Sequence, residues 1–230
     1  MSKKNLVVEF VGISCSGKTT VKNNLFEEDF INKNFIDHDK VGVSNNRKII
    51  KPFTFLLANI KLGITHTKIM SYILYLLIKN YRFKTKELIH RYATFVIVLD
   101  KIQRNKNKKI IFCEAILKSL SSIRSYSKAK DDKILKKILN IYLNDYNTIF
   151  IYFDTNPEKA LKRIKQRLRD SDKRLLSDKN PLERLNRGKI DQEEVLNMLN
   201  EKEVNIYNIK EELNLSEKVT FIVNILKKYY

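Results

Sequence analysis

Hydrophobic positions along the chain fall into short unbroken runs separated by longer stretches of helical spacing. The clearest runs are NLVVEFV at residues 5–11, IIFC at 110–113 and NTIFIYFD at 147–154. Each is rich in Val, Ile or Phe and too short for a helix, as expected of strands buried on both faces of a parallel sheet. NFIDHD at 34–39 reads as a further short strand ending in two carboxylates, and VNIYNI at 204–209 as the last. Between the runs, apolar residues recur every three or four positions. Thr19 to about Glu28 is expected to be helical, as is most of 52–104, with breaks near Gly63 and around NYRFKT. Within that stretch Leu88, Tyr92, Phe95, Val96 and Leu99 mark one buried face. A helix is predicted over 131–144, and another over TNPEKALKRIKQRLRD, with Asn156 as its cap, Pro157 at its first position and Ala160, Leu161, Ile164 and Leu168 as its buried stripe. An Arg-rich polar segment then runs to Gly188. Asp191 and Glu194 are expected to form a variant capping box for a further helix, and the last helix to begin near Ser216. Strands that alternate with helices predict a parallel sheet covered on both sides.

Composition narrows the class of protein. With 43% hydrophobic and 31% charged residues the chain has globular composition. Two cysteines, Cys15 and Cys113, cannot build a disulfide framework or a multi-thiolate zinc site, so a reducing compartment is expected. The longest apolar stretch, Ile69–Ile78, is about half of what a bilayer-spanning helix needs, and no secretory pattern opens the chain. The expectation is a cytoplasmic protein with no transmembrane segment. A formal charge of +19 attracts polyanions, but the lysines are spread over most of the predicted helices, so nucleic acid is a disfavoured partner.

Glycine is scarce, 5 in 230 residues, yet Gly12 and Gly17 both lie in GISCSGKT, which satisfies G-x-x-x-x-G-K-[ST]. The motif follows a predicted strand and opens a predicted helix, the setting its chemistry needs. Glycines let the backbone turn tightly and bring its N–H groups around a phosphate, and the helix start adds a favourable field. The candidate nucleotide-binding residues are therefore Gly12, Ile13, Ser14, Cys15, Ser16, Gly17, Lys18, Thr19 and Thr20. Lys18 is placed to meet the β- and γ-phosphate charge, and the Thr19 hydroxyl to reach Mg²⁺.

Three stretches together carry a resemblance: VVEFVGISCSGKTT, IIFCEAILKSL and IFIYFDTNPEKALKRIKQR. With them the chain resembles P-loop kinases of the nucleoside and nucleoside-monophosphate type, in particular thymidylate kinase-like proteins, including those found with bacterial polysaccharide genes. The resemblance implies a three-layer α/β/α sandwich with a five-stranded parallel sheet in the order 2-3-1-4-5. It also implies a single domain over 1–230, with its core in 1–50, 105–160 and 200–230, a helical acceptor-side insertion at about 51–104 and a lid at about 161–190. ATP and Mg²⁺ are the implied cofactors, and a small-molecule phosphate acceptor the implied partner; a homodimer is compatible with the family.

Site roles follow where residues match. Glu114 closes the third strand, where it would accept a proton from the acceptor hydroxyl or help hold Mg²⁺. Arg163 and Arg167, four residues apart on one helical face, would reach the phosphates, with Arg169, Arg174, Arg184 and Arg187 as lid arginines. Asp37 and Asp39 would bind the acceptor. Cys113 and Ala115 depart from the family's aspartate and glycine, which leaves a non-catalytic nucleotide-binding module as one alternative. The aspartate–arginine pair of thymidylate kinases is also missing from CEAILKSL. A sugar, polyol or nucleoside hydroxyl is therefore preferred over a nucleoside monophosphate, with a polynucleotide 5′-end as the alternative that the charge suggests. His38, His66 and His90 read as structural. Tyr72, Tyr75 and Phe83 read as helix core rather than as an acceptor pocket, and a redox pairing of Cys15 with Cys113 carries little weight.

Overall fold

In the computed structural model, which describes residues 5–38, 66–79, 85–105, 108–126, 131–167, 170–199 and 204–230, the apolar runs form one sheet. Its strands are β1 (Leu6–Val11), β2 (Phe35–Asp37), β3 (Lys109–Phe112), β4 (Asn147–Phe153) and β5 (Asn205–Ile209). All pairings are parallel and the order is β2-β3-β1-β4-β5, as expected. Every residue of β1 is buried, so the strand shows no alternation of polarity; its side chains alternate between two cores instead. Val7 and Val11 face one side, with Phe95, Leu99, Ile116, Leu120, Ile138 and Tyr142. Leu6, Val8 and Phe10 face the other, with Val21, Leu25, Ile31, Ile222 and Leu226. The result is the predicted three-layer sandwich.

The helices are α1 (Lys18–Leu25), α2 (Asp29–Asn34), α3 (Thr67–Lys79), α4 (Thr85–Arg104), α5 (Ile116–Tyr126), α6 (Asp132–Asp145), α7 (Pro157–Arg167), α8 (Asp170–Leu176), α9 (Pro181–Asn197) and α10 (Leu215–Lys227). α7 starts as its sequence signals. The Asn156 side chain accepts the amides of Glu158 at 2.8 Å and Lys159 at 3.4 Å, while Ala160 and Ile164 are buried. α10 carries a full capping box between Asn214 and Glu217.

The capping box expected of Asp191 and Glu194 is not formed. α9 begins at Pro181, with Asn180 accepting the Glu183 amide, so both acids lie well inside the helix. The signal was the same Asn-Pro pair as at 156–157, set this time in a polar run that hides the helical period. Asp191 and Glu194 serve Arg124 of α5 instead. Tyr72 packs against the core, whereas Tyr75 is 48% exposed and does not belong to it. His66 is structural: it meets Asp145 at 3.4 Å and the Tyr146 hydroxyl at 3.0 Å. His38 stacks on Phe112. Asp39, Gly63, Phe83, Leu168 and Arg169 lie outside the described residues, as do the side chains of Leu88, His90 and Arg174. Among the described residues no helix is long and apolar enough to cross a membrane.

Candidate active site

The loop between β1 and α1 lies at the carboxyl ends of the central strands, where parallel α/β sheets place their ligands. Three of its residues have positive φ: Gly12 at 147°, Cys15 at 60° and Gly17 at 92°. A Cβ on Gly12 would lie 2.9 Å from both the Phe153 carbonyl oxygen and the Ser16 hydroxyl, so only glycine lets the loop pass this close to β4. Gly17 is different. A Cβ there would meet nothing within 4 Å, and no side chain caps the start of α1. The entry to α1 is thus uncapped, with open space beside Gly17.

Lys18 bridges this loop from within. Its ammonium donates to the carbonyls of Gly12 and Ile13, both at 2.8 Å, and to the Ser16 hydroxyl at 3.0 Å. It lies 3.4 Å from Glu114 Oε1 across the β1–β3 boundary. Burial pulls the Lys18 pKa below the usual lysine range, and the Glu114 carboxylate works against that shift. The ammonium is therefore held at the mouth of the loop with a carboxylate beside it.

Glu114 follows β3 and has φ 127°, a conformation that residues with a side chain rarely adopt. Its side chain is 42% exposed. Behind it lies a group that the sequence reading passed over. Glu9, in the middle of β1, is fully buried on the α5 side of the sheet. Its Oε1 accepts the amides of Ala115 at 2.9 Å, Leu117 at 3.0 Å and Lys118 at 3.3 Å, and its Oε2 that of Leu117 at 3.2 Å. Desolvation pushes its carboxyl up to about 7 even though those amides favour the charged form. One charge inside an otherwise apolar strand was the available signal.

The remaining candidates divide. Asp37 is buried and bound to Lys22 of α1 at 2.6 Å, with side-chain exposures of 5% and 2%. Arg163 donates to the Cys15 carbonyl at 3.3 Å and to Glu211 at 3.1 Å, so it borders the loop. Arg167, expected on the same phosphate-facing side, forms a two-bond pair with Asp172 of α8 at 2.9 and 2.7 Å. Arg184 pairs with Asp178 and Arg187 with Glu183, both at the surface. The structure therefore brings together Gly12–Thr20, Glu114 and Arg163, with Arg167 engaged in the next helix. Lys22 and Glu211 join Glu9 as residues that sequence patterning missed.

This donor set suits a nucleoside triphosphate with Mg²⁺. The space at Gly17 is open, since a Cβ there would meet nothing within 4 Å. Exposed Thr19 and Glu114 offer a hydroxyl and one carboxylate, which suits a cation that takes few protein oxygens beside phosphate and water.

No family model matches the chain, and no curated protein is similar to it. Among solved structures it is similar to deoxyadenosine kinase from M. mycoides with the products dCMP and a flexible dCDP bound. Identity is 17%, the TM-score 0.56, and the match covers 96% of this chain and 99% of that one. The same enzyme with bound dATP matches at 17% identity and a TM-score of 0.55, over 97% of this chain and 100% of that one. What is shared at this identity is the fold, a three-layer sandwich around a five-stranded parallel sheet.

Proposed function

We propose that the chain is an ATP-dependent phosphotransferase that moves the γ-phosphate to a hydroxyl of a small molecule. The observation that carries this reading is Lys18, held by the loop carbonyls and 3.4 Å from Glu114 at the end of the neighbouring strand. Phosphoryl transfer needs little covalent help from the protein; positioning and charge neutralisation supply most of the catalysis. In this reading the loop amides from Gly12 to Thr19 hold the triphosphate, and Lys18 leaves its own loop carbonyls to meet it. Arg163, which borders the loop, brings further positive charge from α7; Arg167 would have to leave Asp172 to join it. Thr19 and Glu114 would hold Mg²⁺, which when bound neutralises charge on the phosphate oxygens. In this reading Glu114 also takes the acceptor's proton.

A sugar, polyol or nucleoside hydroxyl is the preferred acceptor. Two observations support it. Glu114, the exposed group at the end of β3, is a carboxylate, which suits a hydroxyl better than a second phosphate, whereas the Asp37 carboxylate is engaged in its buried pair with Lys22. The neighbouring structures are also of an enzyme named for a nucleoside. ADP release with a panel of nucleosides, nucleoside monophosphates, sugars and 5′-hydroxyl oligonucleotides tests the reading. Transfer to a hydroxyl of a nucleoside or sugar is expected, and Lys18→Ala should reduce it at least about 100-fold with the fold intact. Transfer confined to dTMP or to oligonucleotides would replace the acceptor assignment. Binding of Mg·ATP with no transfer to any acceptor would make the chain a nucleotide-binding module.

A further inference from the structure

We infer that Glu9 is a positioning residue for this site: a carboxylate inside the sheet that holds the start of α5 and thereby sets the backbone of Glu114. The inference rests on the reading of Glu114 as a site residue. It begins with an unusual placement. Glu9 is the one charged residue in β1, has no exposed surface, and lies on the face that packs against α5. A buried carboxylate without partners is strongly disfavoured, so its position must be fixed by what it binds. What it binds is the first turn of a helix that begins more than a hundred residues later in the chain, through the amides of Ala115, Leu117 and Lys118.

Those amides are the groups that a helix start leaves unsatisfied. The residue before α5 is alanine, which cannot cap it from within, so Glu9 does so from the neighbouring strand. The consequence reaches Glu114 through one peptide bond. Its carbonyl carbon is joined to the Ala115 nitrogen that donates to Glu9 at 2.9 Å, and its own φ is 127°. A glutamate keeps such a backbone only where its surroundings over-determine it. Upstream, β3 is fixed by pairing with β1 up to Glu9↔Phe112. Downstream, the Glu9 carboxylate fixes the Ala115 amide. One residue of β1 therefore defines both sides of the two-residue turn that carries Glu114 to within 3.4 Å of Lys18.

The test compares Glu9→Gln and Glu9→Leu with the wild-type chain. Glutamine keeps the shape but turns one acceptor atom into a donor facing the Leu117 amide; leucine removes both acceptors. Amide hydrogen exchange at Ala115, Leu117 and Lys118 should quicken at least tenfold in both variants, while the β1–β4 ladder keeps its protection. In acceptor-dependent ADP release, kcat should fall several-fold for Glu9→Gln and tenfold or more for Glu9→Leu, with the dissociation constant of Mg·ATP within twofold of wild type. In a Glu114→Gln background the same changes at Glu9 should lower kcat less than twofold further, because they act through Glu114. Unchanged exchange at the three amides in Glu9→Gln overturns the inference, as does a kcat loss matched by an equal loss of ATP affinity. If leucine prevents folding, the glutamine variant decides alone. If the wild-type chain transfers phosphate to nothing, the proposed function fails, and the exchange measurement still decides whether Glu9 holds this turn.

Discussion

Two helices start side by side at the carboxyl end of the sheet, α1 after β1 and α5 after β3, and they are finished in opposite ways. α1 is entered through Gly17, with no side chain at its cap and no atom within 4 Å of where a Cβ would stand. α5 is entered through a glutamate with positive φ, and its first amides are already occupied by Glu9. Both starts present the same partial positive charge to an anion. The first leaves it for an anion from solution, whereas the second is satisfied by carboxyl oxygens built into the core. Lys18 and Glu114, one from each start, meet at 3.4 Å. Neighbouring helix ends in one sheet are thus not equivalent sites, and the difference is set by one buried residue.

The sharpest way to break this comparison is to release α5 at its other end. Arg124, 5% exposed, donates to Asp132 at 2.8 Å and to Asp191 of α9 at 2.9 Å, with Glu194 also against it and Ser125 bound to Asp191. Arg124→Ala leaves the buried Asp191 carboxylate without its cation, at a cost of about 3–5 kcal/mol. Urea unfolding should show that loss while the folded fraction keeps its affinity for Mg·ATP within about twofold. Lost nucleotide affinity would mean that the loop depends on α5 as a whole, not on its first turn.

Arg124 also marks where sequence reading stopped. The strand order came from the family resemblance. The strands, the glycine loop, the Asn156–Pro157 helix start and the position of Glu114 at a strand end were legible, because each is a local pattern with its own period or turn chemistry. The buried charges were not. Glu9 binds amides 106 to 109 positions away, Arg124 binds Asp191 67 positions away, and Lys22 binds Asp37 15 positions away. A charge in an apolar run shows that a partner must exist, but hydrophobic period says nothing of where. Asp191 and Glu194 were misread for the same reason: two acids spaced like a cap look alike whether they face a helix start or an arginine from another element.

A smaller effect separates the two starts by pH. The Glu9 carboxyl is pushed from 4.5 to about 7 by burial. Between those values an unfolded chain releases a proton that the folded chain keeps. The stabilisation from the protonated carboxyl is therefore complete below about pH 4.5 and is lost as pH rises through 7. The displacement corresponds to roughly 3 kcal/mol. The unfolding free energy of the wild-type chain relative to Glu9→Gln should decline by about that amount between pH 4.5 and 8. A flat difference would show that the carboxyl is charged throughout, its amides having outweighed desolvation.

The smallest effects, and the most discriminating for the α1 start, come from its two glycines. Gly12→Ala places a methyl 2.9 Å from the Phe153 carbonyl, which belongs to β4 and cannot move aside, so about 2–3 kcal/mol of stability should be lost. Gly17→Ala meets no atom within 4 Å and bears only the strain of φ 92°, about 1 kcal/mol. Nucleotide affinity should reverse that order. In the proposed reading a phosphate lies in the open space beside Gly17, at the entry to α1, so a methyl there should weaken Mg·ATP binding about tenfold or more in calorimetric titration while the melting temperature changes little. If the Gly17→Ala chain binds Mg·ATP as tightly as wild type, that space is not where the phosphate sits. The contrast between an open and an occupied helix start would then describe the architecture of the sheet edge and not its chemistry.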